Sequence, residues 1–325
     1  MSAVMMKGIG TVDHWLTGAK HSLYGVAVTR IVLGFVVWSQ LVVNWADRHY
    51  TWGDGAKWTS PVQDAKSWPG IFGAFDQLSG AWFDLAYLAT IAFGFLMMVG
   101  VYSRAATVMT LLLWMSLYVT NPFVGSGGDA VLRMVLLYMC FTDSGRHLSI
   151  DARRAASRGE VRPLTPPWFS TTLHNLAIIL IVHQVVMVYV GSALWKVQSP
   201  LWREGTATYY PLQTEAYSPW RDLIEPLSGN SLVIHAATWS AIVVQLLFPV
   251  MMLYRPTRAL GLITVTGMHL GIGLFMGIMY FSLVMIAVDM MLISDGTWRT
   301  IGRAVQGWTD RRRHQGRVDP GVDRA

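Results

Sequence analysis

Between Ala259 and Ser294 the chain carries a single charged side chain, Asp289. As one helix these 36 residues would extend about 54 Å at about 1.5 Å per residue. The hydrocarbon core of a bilayer is only about 30 Å thick, so the run is too long for one crossing and demands a turn near Gly277. Nothing soluble needs such a stretch. Composition agrees: 53% of residues are hydrophobic and 14% are charged, against about 25% charged in a soluble domain. Disorder, coiled coil and a disulfide scaffold are excluded together, and the lone cysteine, Cys140, has no intramolecular partner.

Apolar runs place spans at Tyr24–Val43, Ala81–Val101, Ala105–Thr120, Asp129–Thr142, Leu173–Val197, Ser231–Leu253 and, within the 259–294 stretch, Ala259–Met276 and Met279–Ser294. Asn121-Pro122 and the Gly125–Gly128 segment break what would otherwise be one run after Ala105. The expected fold is an all-α polytopic transmembrane helix bundle of about eight spans, with two extracytoplasmic loops over 44–80 and 198–230. Residues 1–23 form a cytoplasmic N-terminal segment, 24–294 the membrane domain and 295–325 a basic cytoplasmic tail. Residues 1–23 have no apolar core of the kind a cleavable signal needs.

Orientation follows from lysine and arginine in the connections. With the N-terminus inside, the inner segments hold 17 of the 25 basic residues and the outer loops hold Arg48, Lys57, Lys66, Arg203 and Arg221. Both termini are therefore expected in the cytoplasm and the protein in the cell membrane. The net charge of +6 is explained by this asymmetry, and no nucleic-acid partner is called for. The tail from Thr309 reads as a solvated inner tail. Indoles at Trp45, Trp52, Trp58, Trp68, Trp82, Trp195, Trp202 and Trp220 gather on the outer side, as an interfacial belt does.

Ionisable residues at membrane depth are costly unless paired or wet, so they mark function or a structural pair. Asp129 and Arg133 stand four apart on one helix face and fit either an internal ion pair or a ligand clamp. Arg30 and Asp289 have similar inner depth and opposite sign, which predicts a pair between the first and last spans. His183 fits a helix–helix hydrogen bond or a ligand, and His174 lies on the opposite face. No His-x-x-x-His, Cys-x-x-Cys or Glu-x-x-His spacing exists, so no metal site is expected. Lys196 has two readings. At the end of a span it can be a snorkelling anchor. Yet Tyr189, Ser192 and Lys196 form a polar stripe at i, i+3 and i+7, and a lysine held in low dielectric can serve as a neutral base.

The segment Val188–Val197 (VYVGSALWKV), followed by Leu201–Tyr209 (LWREGTATY), resembles the signature of the HTTM family, bacterial membrane proteins related to vitamin K-dependent γ-carboxylase. Thr29-Arg30-Ile31, Gly127–Arg133 (GGDAVLR) and Met268–Met276 (MHLGIGLFM) leading to Phe281-Ser282 fit the same pattern in order. The resemblance implies a quinol-coupled enzyme in which a lysine deprotonates a reduced naphthoquinone of the vitamin K or menaquinol type. Reaction with oxygen then yields a base strong enough to take a proton from a peptide glutamate. By position Lys196 would be the catalytic base, with His269 and Asp129 as further catalytic residues. Arg133, Tyr189, Trp195 and Trp202 would bind the cofactor around an outer-half pocket. Where the carboxylase branch carries a histidine, this chain has Asp129. A secreted peptide would be met by the two outer loops or by a partner subunit. Two other readings stand beside this one: a non-enzymatic subunit for maturation or export of a small secreted peptide, and a transporter of a small anion or lipid. A continuous wet path through Arg30, Arg133 and Asp289 would favour the last.

Overall fold

A computed structural model describes residues 3–59, 72–158, 165–217 and 219–315. Lys66 and Trp68 of the first outer loop and the end of the basic tail lie outside them. The described chain runs α1 (Ala3–Gly18), α2 (Leu23–Val43), α3 (Arg48–Trp52), α4 (Gly80–Val99), α5 (Ser103–Thr120), α6 (Gly127–Met139) and α7 (Ile150–Arg158). It continues through α8 (Pro167–Lys196), α9 (Pro200–Arg203), α10 (Tyr209–Gln213), α11 (Arg221–Ser228) and α12 (Ser231–Met251). The last helices are α13 (Arg255–Phe275), α14 (Met279–Asp289) and α15 (Asp295–Gln315). No strand occurs among the described residues, as a chain with no water to satisfy open backbone groups requires.

Each expected apolar run forms a helix, but the expected count of crossings is not reached by length. Five helices, α2, α4, α8, α12 and α13, are long and apolar enough to cross a membrane, and a sixth is added if the bent pair Met279–Leu292 and Asp295–Thr309 counts as one. Helix α6 has 13 residues and α14 has 11, so both are short for about 30 Å of hydrocarbon. The turn between α13 and α14 falls at Gly277, whose φ of +69° is a left-handed conformation that glycine adopts without strain.

Helix α2 sits at the centre. More than half of its spanning window is buried (56%), against 28% in α4, α12 and α13, whose exposed Leu85, Leu88, Val243, Leu246, Leu247 and Ile263 face lipid. Since lipid is as apolar as leucine, close packing and polar contacts must hold the helices together. Gly34 of α2 meets the α4 backbone, where a Cβ would stand 2.6 Å from Met98 N and 2.9 Å from Gly94 O. On its other side α2 packs against α14, and Thr29 Oγ1 donates to Ala287 O at 2.6 Å.

The expected pair of Arg30 with Asp289 does not form. The Arg30 guanidinium, fully buried, instead donates to four backbone carbonyls: Met97 O, Met98 O at 2.9 Å, Ser144 O at 3.1 Å and Leu148 O at 2.7 Å. Met97 and Met98 belong to the last turn of α4, whose carbonyls run out of intrahelical donors and carry the negative end of the helix dipole; Met97 O also accepts from the capping Gly100 N at 3.2 Å. Arg30 thus ties the end of α4 to the 140–149 connection, and the fork of five donors on a guanidinium suits that task.

Carboxylates cap helix starts at the same end of the bundle. Asp295 accepts from Leu23 N and Tyr24 N at 3.2 and 2.9 Å, closing the start of α2. Asp151 accepts from Tyr102 N and Ser103 N at 3.0 and 2.7 Å, closing the start of α5. Asp143 pairs with both Lys20 and Arg104. His174 accepts from Asp143 N at 3.1 Å through Nδ1, while Nε2 donates to His21 O at 2.7 Å. His183, on the opposite face of α8, is exposed and faces outward from the bundle.

Candidate functional site

Two neighbouring features carry most of the chemistry at depth, an apolar cavity that Lys196 borders and a buried hydrogen-bonded trio behind it. The cavity, of about 540 Å³, lies between α12 and α13. Trp202 of α9, Ala207, Pro211 and Leu212 near α10, and Ile224 and Leu227 of α11 roof it. Its size falls within the roughly 300–1,000 Å³ usual for small-molecule sites. Its walls are almost wholly aliphatic and aromatic, with Lys196, Gln245, Thr208, Ser240 and Thr264 as the polar exceptions.

Lys196 ends α8, and its Nζ donates to Ser192 Oγ at 2.6 Å and to Gln245 Oε1 at 2.7 Å. The nitrogen stands 5.1 Å from the centre of the Trp202 ring. No carboxylate lies within ion-pairing distance of it among the described residues. Neutral oxygens therefore hold the amine in place. A neutral amine has two N–H donors and one lone pair; with Ser192 and Gln245 taking both donors, the lone pair is left for a third direction. An interfacial anchor would point the nitrogen into open solvent; here it points to Ser192 and Gln245 at the cavity wall.

Gln245 escaped the sequence reading. Its signal was available: it is the only amide in the apolar run Ala241–Leu253 of α12, and burial of such a group demands a partner. In the structure it is 6% exposed. Ser192, by contrast, belonged to the recognised stripe, one helical turn before Lys196.

Tyr189 is the third member of that stripe, but it turns away from the cavity. Its hydroxyl donates to Asp289 Oδ2 at 2.6 Å and stands 3.1 Å from His269 Nε2, joining α8, α13 and α14. All three residues are at most 1% exposed. The ring of Phe248 covers Tyr189 with centroids 4.6 Å apart, and Phe281 meets His269 edge-on at 5.6 Å. Phe281 also lines the cavity, so the cavity wall and the trio share this ring. His269 Nδ1 and Asp289 Oδ1 have no hydrogen-bond partner.

Proton counting shows what this trio can do. With Asp289 ionised, the tyrosyl proton goes to the carboxylate, His269 must present Nε2–H to the phenolic oxygen, and Nδ1 is bare. A proton added at Nδ1 can be passed along: Nε2 gives its proton to the phenolic oxygen, and the phenol gives its own to Asp289. The product is a neutral acid, a neutral phenol and a neutral imidazole. The chain of hydrogen bonds has room for one more proton, and its two unpartnered atoms mark its ends.

Asp129 and Arg133 lie elsewhere. Asp129 closes a capping box at the start of α6: its Oδ2 accepts from Ser126 N at 2.6 Å and from Ser126 Oγ at 2.9 Å, and Ser126 Oγ accepts from Asp129 N at 3.4 Å. This satisfies otherwise orphaned donors of a short helix. The expected contact between the two side chains gives way to others. Arg133 Nε donates to the backbone oxygen of Asp129 at 3.1 Å, and its guanidinium lies 3.3 Å over the Tyr118 ring, a cation–π geometry. Asp129 borders a much smaller hollow of about 20 Å³ with Gln40, Trp52, Trp114 and Tyr118. Trp195 is 77% exposed and faces away from the cavity that its neighbour Lys196 lines. Of the residues expected around Lys196, Trp202 alone shares its cavity, while Tyr189 and His269 stand together behind it. No group of three or more His, Cys, Asp or Glu side chains suited to a metal ion occurs among the described residues.

Comparison with curated proteins and with solved structures finds no match. A family model of the HTTM domain matches residues 21–298, which is most of the chain, and the protein is a membrane protein that belongs to the HTTM family.

Proposed function

We propose that this protein is a membrane enzyme that takes a reduced naphthoquinone-class quinol into the cavity between α12 and α13 and uses Lys196 as the proton acceptor. One observation carries the reading: an amine held by two neutral oxygens, with no carboxylate within ion-pairing distance, on the wall of an apolar cavity of about 540 Å³. The fit is chemical as well as spatial. A flat, largely apolar ring with a hydroxyl at its edge suits aliphatic walls, an indole face and a single basic nitrogen. When bound, the quinol supplies an acidic hydroxyl and two reducing equivalents for oxygen.

The chain's own residues would then divide the work. Ser192 and Gln245 occupy the N–H donors of Lys196 and aim its lone pair. Trp202 gives the ring a flat surface on which to lie. The aliphatic walls keep water from the amine, which matters because a strong base formed here would be quenched by water. The roof over 198–230 is where a peptide acceptor would be presented, on the outer face by the charge asymmetry of the loops. Tyr189, His269 and Asp289 provide a proton store behind Phe281.

Oxygen uptake by purified protein supplied with a reduced naphthoquinone tests the proposal. Uptake that depends on Lys196, and vanishes in Lys196→Ala while the protein stays folded, is the expected result. Uptake that Lys196→Ala leaves unchanged overturns it.

A further inference from the structure

Helix α15 stands apart from the bundle. The segment Met279–Leu292 and the start of α15 meet at 107°, so α15 runs nearly at right angles to a helix that runs through the bundle. Its first residue fixes its position. The Asp295 carboxylate accepts from Leu23 N and Tyr24 N, which pins α15 to the end of α2 where that helix enters the membrane. A helix that begins at the membrane boundary and turns by about a right angle lies along the bilayer surface.

Over Asp295–Trp308 the two sides of α15 differ in chemistry. Ile301, Val305 and Trp308, spaced i, i+4 and i+7, share one face and are 43%, 55% and 51% exposed. Arg299 and Arg303, four apart, lie on the opposite face and are exposed. Five arginines between 295 and 315 outnumber the two aspartates, and one of those, Asp295, is engaged in capping α2. A helix wholly in solvent would have no reason to segregate an indole and two branched aliphatic side chains to one face.

We infer that α15 is an in-plane membrane helix, its Ile301–Val305–Trp308 face seated in the headgroup boundary and its arginines bound to anionic phospholipid. An amphipathic helix with apolar residues on one face and arginine on the other binds a bilayer in this way, and affinity rises with anionic lipid. The bilayer is the occupant because the attachment to α2 holds the start of α15 at the membrane boundary, where lipid is the solvent already present. This inference is independent of the chemistry at Lys196.

The test uses the full chain in nanodiscs, in a Cys140→Ala background, with spin labels on Ile301→Cys, Val305→Cys and Arg303→Cys. Discs of phosphatidylcholine alone are compared with discs that also contain phosphatidylglycerol. Collision with oxygen reports apolar depth, and collision with a water-soluble nickel chelate reports solvent. The labels at 301 and 305 should show an oxygen-to-nickel ratio at least about threefold above that at 303, as expected for a helix half immersed in the interface. The ratio should rise further with phosphatidylglycerol, and Arg299→Glu with Arg303→Glu should remove that rise. Equal nickel access at all three positions would overturn the inference in favour of a solvated tail. Exclusion of both reagents from 301 and 305 would overturn it in favour of a covering protein, such as a second copy. Equal ratios with and without phosphatidylglycerol would overturn the anionic-lipid assignment.

Discussion

The Tyr189 hydroxyl donates to Asp289 Oδ2 at 2.6 Å, so a fully buried carboxylate is held by a phenol. Opposite charge and similar depth had suggested Arg30 for that role. Depth along a helix says nothing about which face a side chain occupies, and Arg30 is drawn instead to the open carbonyls at the end of α4. A carboxylate held by a phenol and near an imidazole can exchange protons within the bundle. One paired with arginine is fixed in its ionised form.

Tyr189→Phe keeps the ring against Phe248 and removes the hydroxyl. Both Asp289 oxygens are then unpartnered, which should cost about 1–3 kcal/mol of stability, the penalty for an unsatisfied buried polar group. Thermal unfolding in detergent reads this loss. Asp289→Asn added to Tyr189→Phe should recover part of it, because a neutral amide is less costly to strand than a carboxylate. Losses that simply add would show that the hydroxyl–carboxylate bond contributes nothing.

Arg30→Ala removes a donor from four carbonyls, of which Met97 O keeps the Gly100 N–H, and opens the joint between α4 and the 140–149 connection, so it should be among the most destabilising single changes. Arg30→Lys should restore only part of the loss, since an ammonium has three donors and no planar fork. Because Arg30 and Asp289 share no contact, the losses from Arg30→Ala and Asp289→Ala should add to within about 0.5 kcal/mol. Recovery in the double variant would restore the ion pair that the structure replaces.

His147 stacks on Tyr24 with centroids 4.1 Å apart and planes 5° from parallel. Partial burial there holds its imidazole below the usual range; Asp295 opposes the shift, and Arg146 and Arg299 add to it. A depressed value in the folded state means that the neutral form is favoured on folding. Its contribution is present above the unfolded value of about 6.5 and is lost as pH falls through the folded value. Unfolding temperature followed from pH 8 to pH 5 should therefore decline, and His147→Gln should flatten the decline.

Much of this molecule is readable in its sequence, for reasons that particular residues make plain. Apolar runs of span length have no alternative in water, so the helices fall where periodicity places them, and Gly277 turns the chain where the length of 259–294 requires. The stripe of Tyr189, Ser192 and Lys196 is equally visible, since the helical period fixes a shared face. Partners across helices are not visible. Gln245 reaches Lys196 from a helix 49 residues on, and Asp129 spends its carboxylate on Ser126, where local capping outcompetes a partner one turn away. Sequence lists the groups that need satisfaction, and only packing decides which of them meet.

Gln245→Glu would place a carboxylate where a neutral oxygen now accepts from Lys196. The hydrogen bond survives, but the amine gains an ion-pair partner that favours its ammonium form. Quinol-dependent oxygen uptake should fall at least about tenfold, which corresponds to about 1.4 kcal/mol at the transition state, with little change in unfolding temperature. Unchanged uptake would remove Gln245 from the account.

Lys196→Arg tests the central claim most directly. Guanidinium keeps the reach and the ability to donate to Ser192 and Gln245, but it stays protonated above about pH 12 and cannot accept a proton from a quinol. Oxygen uptake with a reduced naphthoquinone, measured on wild type and Lys196→Arg at equal folded concentration, should show activity in the first and none above background in the second. Equal uptake by the two proteins would contradict a base at Lys196 and leave that residue as a structural cation beside an apolar cavity.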